Sequence, residues 1–166
     1  MFEIGDYVMK TSNGVCHIDD ITKINMSGVD KNKLYYVLTP VEGKKSTLYV
    51  SVDTAPQNIR HALTSDEAMK VINEIPQIEE AWIENDKVRE QQYKEAVRSG
   101  SPEALIGILK TIYSRKKQRE NLGKKNTAVD ERYFKQAENL LYAEIAFALG
   151  KNKEDISKIV FDNFGV

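Results

Sequence analysis

The stretch AWIENDKVREQQYKEAVRSGS holds the only tryptophan of the chain, Trp82, in a segment crowded with charge. Asp86, Arg89 and Tyr93 follow it at i+4, i+7 and i+11, a spacing that puts all four on one face of a helix. Such a tryptophan has two uses. It packs in a core with Arg89 stacked across it, or it acts as an apolar wedge against an opened base step, with Arg89 and Lys94 on phosphate. Spacing alone favours the core.

A second group lies further along, in SRKKQRENLGKK: Arg115, Lys116, Lys117, Arg119, Lys124 and Lys125. Residues 101–125 carry seven basic and two acidic side chains, whereas residues 61–100 carry five and nine, so a net charge of −1 conceals one concentrated basic block. At a helix end and the turn after it, the six are expected to converge on one surface. Cations on phosphates give binding that weakens steeply with salt and does not read sequence. The plainer alternative is a solvated helix C-terminus, where cations are favourable in themselves.

Other chemistries find little support. Cys16, His17, Asp19 and Asp20 lie along one predicted strand, where neighbours point to opposite faces, and His61 is distant in sequence. No metal site is expected from them, since a site needs three or four convergent ligands. Asp19-Asp20 reads as a solvated strand end, and Cys16 as a reduced, strand-buried thiol. There is no P-loop, GxGxxG, GxSxG or HExxH. Neither catalysis nor a cofactor is expected. No run of about 18 apolar residues is present, so no membrane helix is expected. MFEIGDYVMK lacks the pattern of a secretory leader, so a cytoplasmic protein is expected.

Two kinds of element must position these residues. The first 53 residues read as short strands, DYVMK, GVCHIDDITKI, KLYYVLTP and STLYVSVD, separated by turn signals such as Ser12-Asn13-Gly14. Four or five strands in so short a span are too few for a sandwich, and predict a small, bent SH3-like or Tudor-like barrel. Any strand left at an open edge is a place for a partner strand to add. From residue 64 the pattern becomes helical. Thr64 and Glu67 form a capping box, and Pro76 opens a helix expected to run to about Arg98, with Gly100 beyond it. Ser101-Pro102-Glu103 starts the next helix, Gly123 ends it, and TAVDERYFKQAENLLYAEIAFALG and NKEDISKIVFDNF supply two more. The fold class expected is α+β: a small barrel over 1–54, a linker over 55–63, and an all-α domain of about five helices over 64–166.

In their order along the chain these segments resemble the CarD/CdnL family of bacterial transcription regulators. FEIGDYVMKTSNGVCHIDDI resembles the opening of the family, LYYVLTP its Tyr-Val-Leu strand, and TLYVSVD a strand that usually reads Val-Pro-Val; Ser51 stands where the family often has proline. The helical half resembles it more closely, through the tryptophan segment, YKEAVRSGS, IYSRKKQR and AENLLYAEIAFALG. The resemblance implies a non-enzymatic regulator. Its Tudor-like domain, shared with transcription-repair coupling factor, binds the RNA polymerase β subunit, and its helical domain stabilises the open promoter complex at the upstream fork. Carried over by position, Trp82 is the wedge. Arg89, Lys94, Arg98, Arg115, Lys116, Lys117 and Arg119 are contacts to promoter DNA without sequence preference, and Lys23, Leu48, Tyr49 and Val50 are contacts to polymerase. A monomer is expected. The competing reading is an interaction module that recruits polymerase or another partner without touching DNA.

Overall fold

Tyr7–Lys10 (β1) and Gly14–Lys23 (β2) form a hairpin whose three-residue loop returns through Gly14 at φ 77°. Asn13 does not share the positive φ that Asn-Gly allows, so this is the loop type in which one left-handed glycine follows an ordinary turn. Leu34–Pro40 (β3) and Leu48–Ser51 (β4) extend the antiparallel sheet on one side, and Ile59–His61 (β5) pairs with β1 on the other. The order is β4-β3-β2-β1-β5. The sheet curls into a half-barrel rather than closing into a full one, so β4 and β5 remain its edges.

The core of this half is Val8, Cys16, Ile18, Tyr36, Leu38, Val50, Ala55 and Ile59. Cys16 and Ile18 obey strand alternation, but Ile21 packs on the same core three residues later. The register shift between Ile18 and Asp20 accounts for this, because one extra residue inverts the alternation. Asp19 sits at that bulge, not at a frayed strand end. It contacts the Thr39 hydroxyl and lies 2.6 Å from His17 Nδ1, and these hydrogen bonds hold its carboxyl below the usual range. Cys16 is fully buried, and burial pushes its thiol pKa up.

The computed structural model describes residues 1–80 and 83–164, in two compact units, Met1–Ala62 and Leu63–Val166. The segment expected as a linker is therefore structured. Ala55–Asn58 (α1) and β5 fill it, with Ala55 and Ile59 buried in the first unit. Its polar residues Gln57, Asn58 and Arg60 masked two anchoring positions too widely spaced to show a period.

In the second unit, Ser65–Glu74 (α2) begins with the capping box, Thr64 accepting from the Glu67 amide and Glu67 from that of Thr64. Asp86–Ser99 (α3), Pro102–Asn121 (α4), Ala128–Leu149 (α5) and Lys153–Asp162 (α6) follow. Each is capped by a polar side chain, from Asn85, Ser101, Thr127 and Asn152 in turn. The core runs through Ile72, Ile75, Tyr93, Leu105, Leu109, Ile112, Leu141, Ile145 and Ile156. One expected helix is shorter than predicted. Pro76 opens only a turn of 3-10 helix, Ile75–Gln77, and α3 starts at Asp86 where Asn85 accepts from the amides of Lys87 and Val88. Asp86, Arg89 and Tyr93 do share helix α3; Trp82, the first residue of the expected face, lies outside the described residues.

Candidate functional site

Gly100, at φ 64°, and the cap Ser101 turn the chain sharply between α3 and α4. Asp86 and Arg89, near the start of α3, line the same cavity of about 180 Å³ as Arg115 and Arg119, near the end of α4, so the two helices run antiparallel. This arrangement sorts the predicted cations into two classes.

The first class is used internally. Arg89 is only 5% exposed. It donates to the carbonyls of Ile83 at 2.9 Å and Glu84 at 3.3 Å, and to Asp86 Oδ1 at 2.6 Å. In return the guanidinium holds the Asp86 carboxyl below the ordinary carboxylate range, with the charges of Arg115 and Arg119 adding to the effect. Arg115 Nε donates to Asp130 Oδ2 at 2.9 Å, and Asp130 is 1% exposed, so this ion pair joins α4 to α5 out of water. The Tyr93 hydroxyl is buried beside Asp130 without a well-formed hydrogen bond; burial and the neighbouring charge push its pKa up. Arg119 Nε donates to the Lys125 carbonyl at 2.8 Å and fastens the turn after α4. Arg89 as a surface phosphate contact is thus corrected: a buried arginine with three partners is a strut of the fold.

The second class faces outward. Lys94, Arg98, Lys116, Lys117, Lys124 and Lys125 are exposed. Lys117 lies over the Tyr113 ring with its ammonium 4.9 Å from the centroid. Nor do the basic residues of α4 converge as expected. At about 100° per residue, Arg115 and Arg119 share an inward-turned face while Lys116 and Lys117 follow the helix round to solvent. Arg98 stands at the other end of the α3–α4 hairpin, roughly 20 Å along the axis from Lys116 at 1.5 Å per residue.

Described residues before α3 are bound by side chains of α3 and α4 at two places. At the first, Lys110 Nζ donates to the carbonyl of Ile75 and, at 2.7 Å, to that of Ile78, while Ser114 Oγ donates to Glu80. The Glu79 carbonyl lies against α4 at Gly107, where a Cβ would stand 3.7 Å from its oxygen, an ordinary contact. At the second, Arg89 holds the carbonyls of Ile83 and Glu84. Burial lowers the Lys110 pKa, and the nearby Glu80 partly opposes the shift. Lys110, Ser114 and Asp130 gave no signal in the sequence because their partners lie 32, 34 and 15 residues away, on other elements.

In the first unit the predicted polymerase contacts divide in the same way. β4 is an edge strand. Tyr49 points outward and is 46% exposed, whereas Val50 is buried in the core and Leu48 packs against it. The Val50 side chain is therefore not a surface contact; alternation on a strand leaves only its backbone at the edge. Lys23 is exposed, but it pairs with Leu34 at the end of β2, two strands and about 10 Å across the sheet from β4.

Among the described residues, no group of three or more His, Cys, Asp or Glu is disposed to hold a metal, and no helix is long and apolar enough to cross a membrane. What the geometry offers is surface: an open strand edge in one unit, and in the other an exposed set of cations.

A search of curated proteins finds no match. Family models do match. One described as CarD-like/TRCF RID domain covers residues 2–63, and one described as CarD, C-terminal domain covers residues 67–161. The first spans the half-barrel through β5, the second runs from α2 into α6, and such domains belong to a non-enzymatic family. With both units accounted for in order, the chain belongs to the CarD family of RNA polymerase-interacting transcription factors.

Proposed function

We propose that the first unit docks on the polymerase β subunit through the β4 edge, and that the second lays its exposed cations and Trp82 on promoter DNA at the upstream fork. The open complex is thereby held open. The observation that carries this reading is the division of labour within the basic set: Arg89 and Arg115 are spent on internal partners, while Lys94, Lys116 and Lys117 stand in solvent. Lysine ammonium groups on flexible stems suit loose contact with phosphates and carry no base preference.

At β4, Tyr49 and the unpaired side of the strand are available to a partner strand, which gains main-chain hydrogen bonds and one outward side chain at alternate positions. Lys23 is a separate, flanking contact. Promoter opening needs only a preference for open over closed DNA, and about 1.4 kcal/mol of preference shifts the ratio tenfold. Weak DNA contact is sufficient when polymerase holds the second unit at high local concentration. A chain of net charge −1 can therefore act on DNA as a monomer docked on polymerase.

A second reading has an observation of its own. Three cations of the predicted DNA set, Arg89, Arg115 and Arg119, are committed to internal partners. This favours a recruitment module whose helical unit binds protein instead. Charge reversal separates the two. If DNA is touched, Lys116→Glu with Lys117→Glu shortens the open-complex lifetime and leaves polymerase affinity unchanged. The recruitment reading requires an unchanged lifetime.

A further inference from the structure

We infer that the cavity between α4, α5 and α6 is a binding site for a small organic cation with an aromatic body. The inference goes beyond the proposed function and stands whether or not the chain touches DNA.

The cavity holds about 340 Å³ and reaches down to the buried Ile112. That is the size of a site for a small ligand. Three rings wall it: Tyr113 from α4, Phe134 from α5 and Phe161 from α6. The Tyr113 and Phe161 rings meet at 86° with their centroids 5.2 Å apart. They form a corner, in which a flat group can stack on one ring and meet the edge of the other. Phe161 is 48% exposed, a large apolar ring left open to solvent. Glu131, Phe134 and Glu138 follow one another at i, i+3 and i+7, so α5 presents two carboxyl groups on the face that carries the ring. Among the described residues the lining has one basic side chain, Lys116, against these two acids.

Charge decides what fits. Among the described residues neither glutamate has an ion-pair partner. Glu138 is half-buried, and burial raises its carboxyl pKa, with the Tyr142 hydroxyl partly opposing the shift. A carboxylate short of solvent and without a counter-ion gains from a cation brought to it, because charge-assisted hydrogen bonds are the strong ones. The ring faces carry negative potential and add to the attraction. Tyr113 already draws one ammonium, that of Lys117, which lies outside the lining. An anion would meet two carboxylates and three rings, and a neutral ligand would leave Glu138 uncompensated. Ile112 belongs to the helical core, and Tyr113 and Phe134 pack against it. The walls are therefore formed before a ligand arrives, which lowers the cost of binding, and their concave shape suits a small molecule rather than a flat protein face.

The test uses the intact chain and three flat probes of one shape: benzamidinium, neutral benzamide and anionic benzoate. Backbone amide shifts are followed by NMR as each probe is added. Benzamidinium is expected to bind saturably with a Kd of about 1 mM, moving the amides around Tyr113, Phe134, Glu138 and Phe161. Benzamide is expected to bind about tenfold more weakly, for want of the charge on its hydrogen bonds, and benzoate not at all. Glu138→Gln keeps the shape of the side chain and should cut benzamidinium affinity about tenfold, towards that of benzamide. Phe161→Ala removes one wall and should cut it about fivefold. Glu131→Gln, at an exposed position, is the second variant if Glu138→Gln disturbs the fold, and should cut it about threefold. Equal binding of the three probes overturns cation recognition. Shifts confined to residues away from the cavity, or no saturable shift up to about 10 mM, overturn the site. Unchanged benzamidinium affinity in both glutamate variants, each folded by circular dichroism, overturns the part given to the carboxylates.

Discussion

Two arginines show how far a residue's type is from its use. Arg115 lies in the basic block and Arg89 in the acidic stretch before it, yet both are spent within the helical unit, Arg89 on two carbonyls and the exposed Asp86, Arg115 on the buried Asp130. Removing Arg115 leaves Asp130 buried without its counter-charge, a loss on the order of 3–5 kcal/mol for a pair of this burial. Arg115→Ala is therefore expected to lower the urea midpoint markedly, while Lys116→Ala, exposed on the same helix, changes the unfolding free energy by about 0.5 kcal/mol or less and barely moves the midpoint. A midpoint that falls equally for both contradicts the assignment of roles. In the half-barrel, Asp19 gives a pH signature. Its folded pKa is depressed by Thr39 and His17. The stabilisation is complete above the ordinary carboxylate value of about 3.9 and is lost as pH falls through the lower folded value. Asp19→Asn should lower the melting temperature of the first unit at pH 7 and flatten its decline on acidification. The effect is small, because the pair is largely in solvent.

The elements differ in how openly the sequence announces them. Strand alternation and helical stripes made the two halves legible, since each half buries one apolar face at one period: Leu105, Ile108, Leu109 and Ile112 on α4 are core, as their spacing required. Three features were hidden. The bulge at Asp19 depends on pairing with β3, which no local pattern encodes. β5 is three residues long, too short for a period. The start of α3 turns on a competition between Pro76 and Asn85 as helix openers, which Lys110 and Arg89 settle by capturing the intervening carbonyls. β5 also changes the minimal polymerase-binding piece. A fragment of residues 1–62 should fold and bind the polymerase β subunit. One ending at Thr54 lacks the strand beside β1 and the buried Ala55 and Ile59, and should melt at a lower temperature or not fold. Equal melting of the two fragments, measured by circular dichroism, would show that β5 adds nothing to the sheet.

At the scale of the whole molecule, one unit offers a strand edge and the other a set of exposed cations, and neither contains a metal-binding cluster among the described residues. Under the proposed function, the protein acts by favouring one state of its partners over another. The candidate contacts illustrate why function was only partly legible: Tyr49 and Lys116 are exposed as their positions implied, but the burial of Val50 and Arg89 is set by packing across elements. Salt dependence tests the DNA surface as a unit. Reversing Lys116 and Lys117 should reduce the slope of log affinity for forked DNA against log salt by about 2, roughly one for each phosphate that a lysine no longer neutralises. The measurement to make first is open-complex lifetime on a slowly opening promoter, with the intact protein and with Trp82→Ala, each at polymerase-saturating concentration. A longer lifetime with the intact protein that disappears in the folded, polymerase-bound variant is the expected result. An equal gain from both proteins would contradict the wedge and leave recruitment as the function.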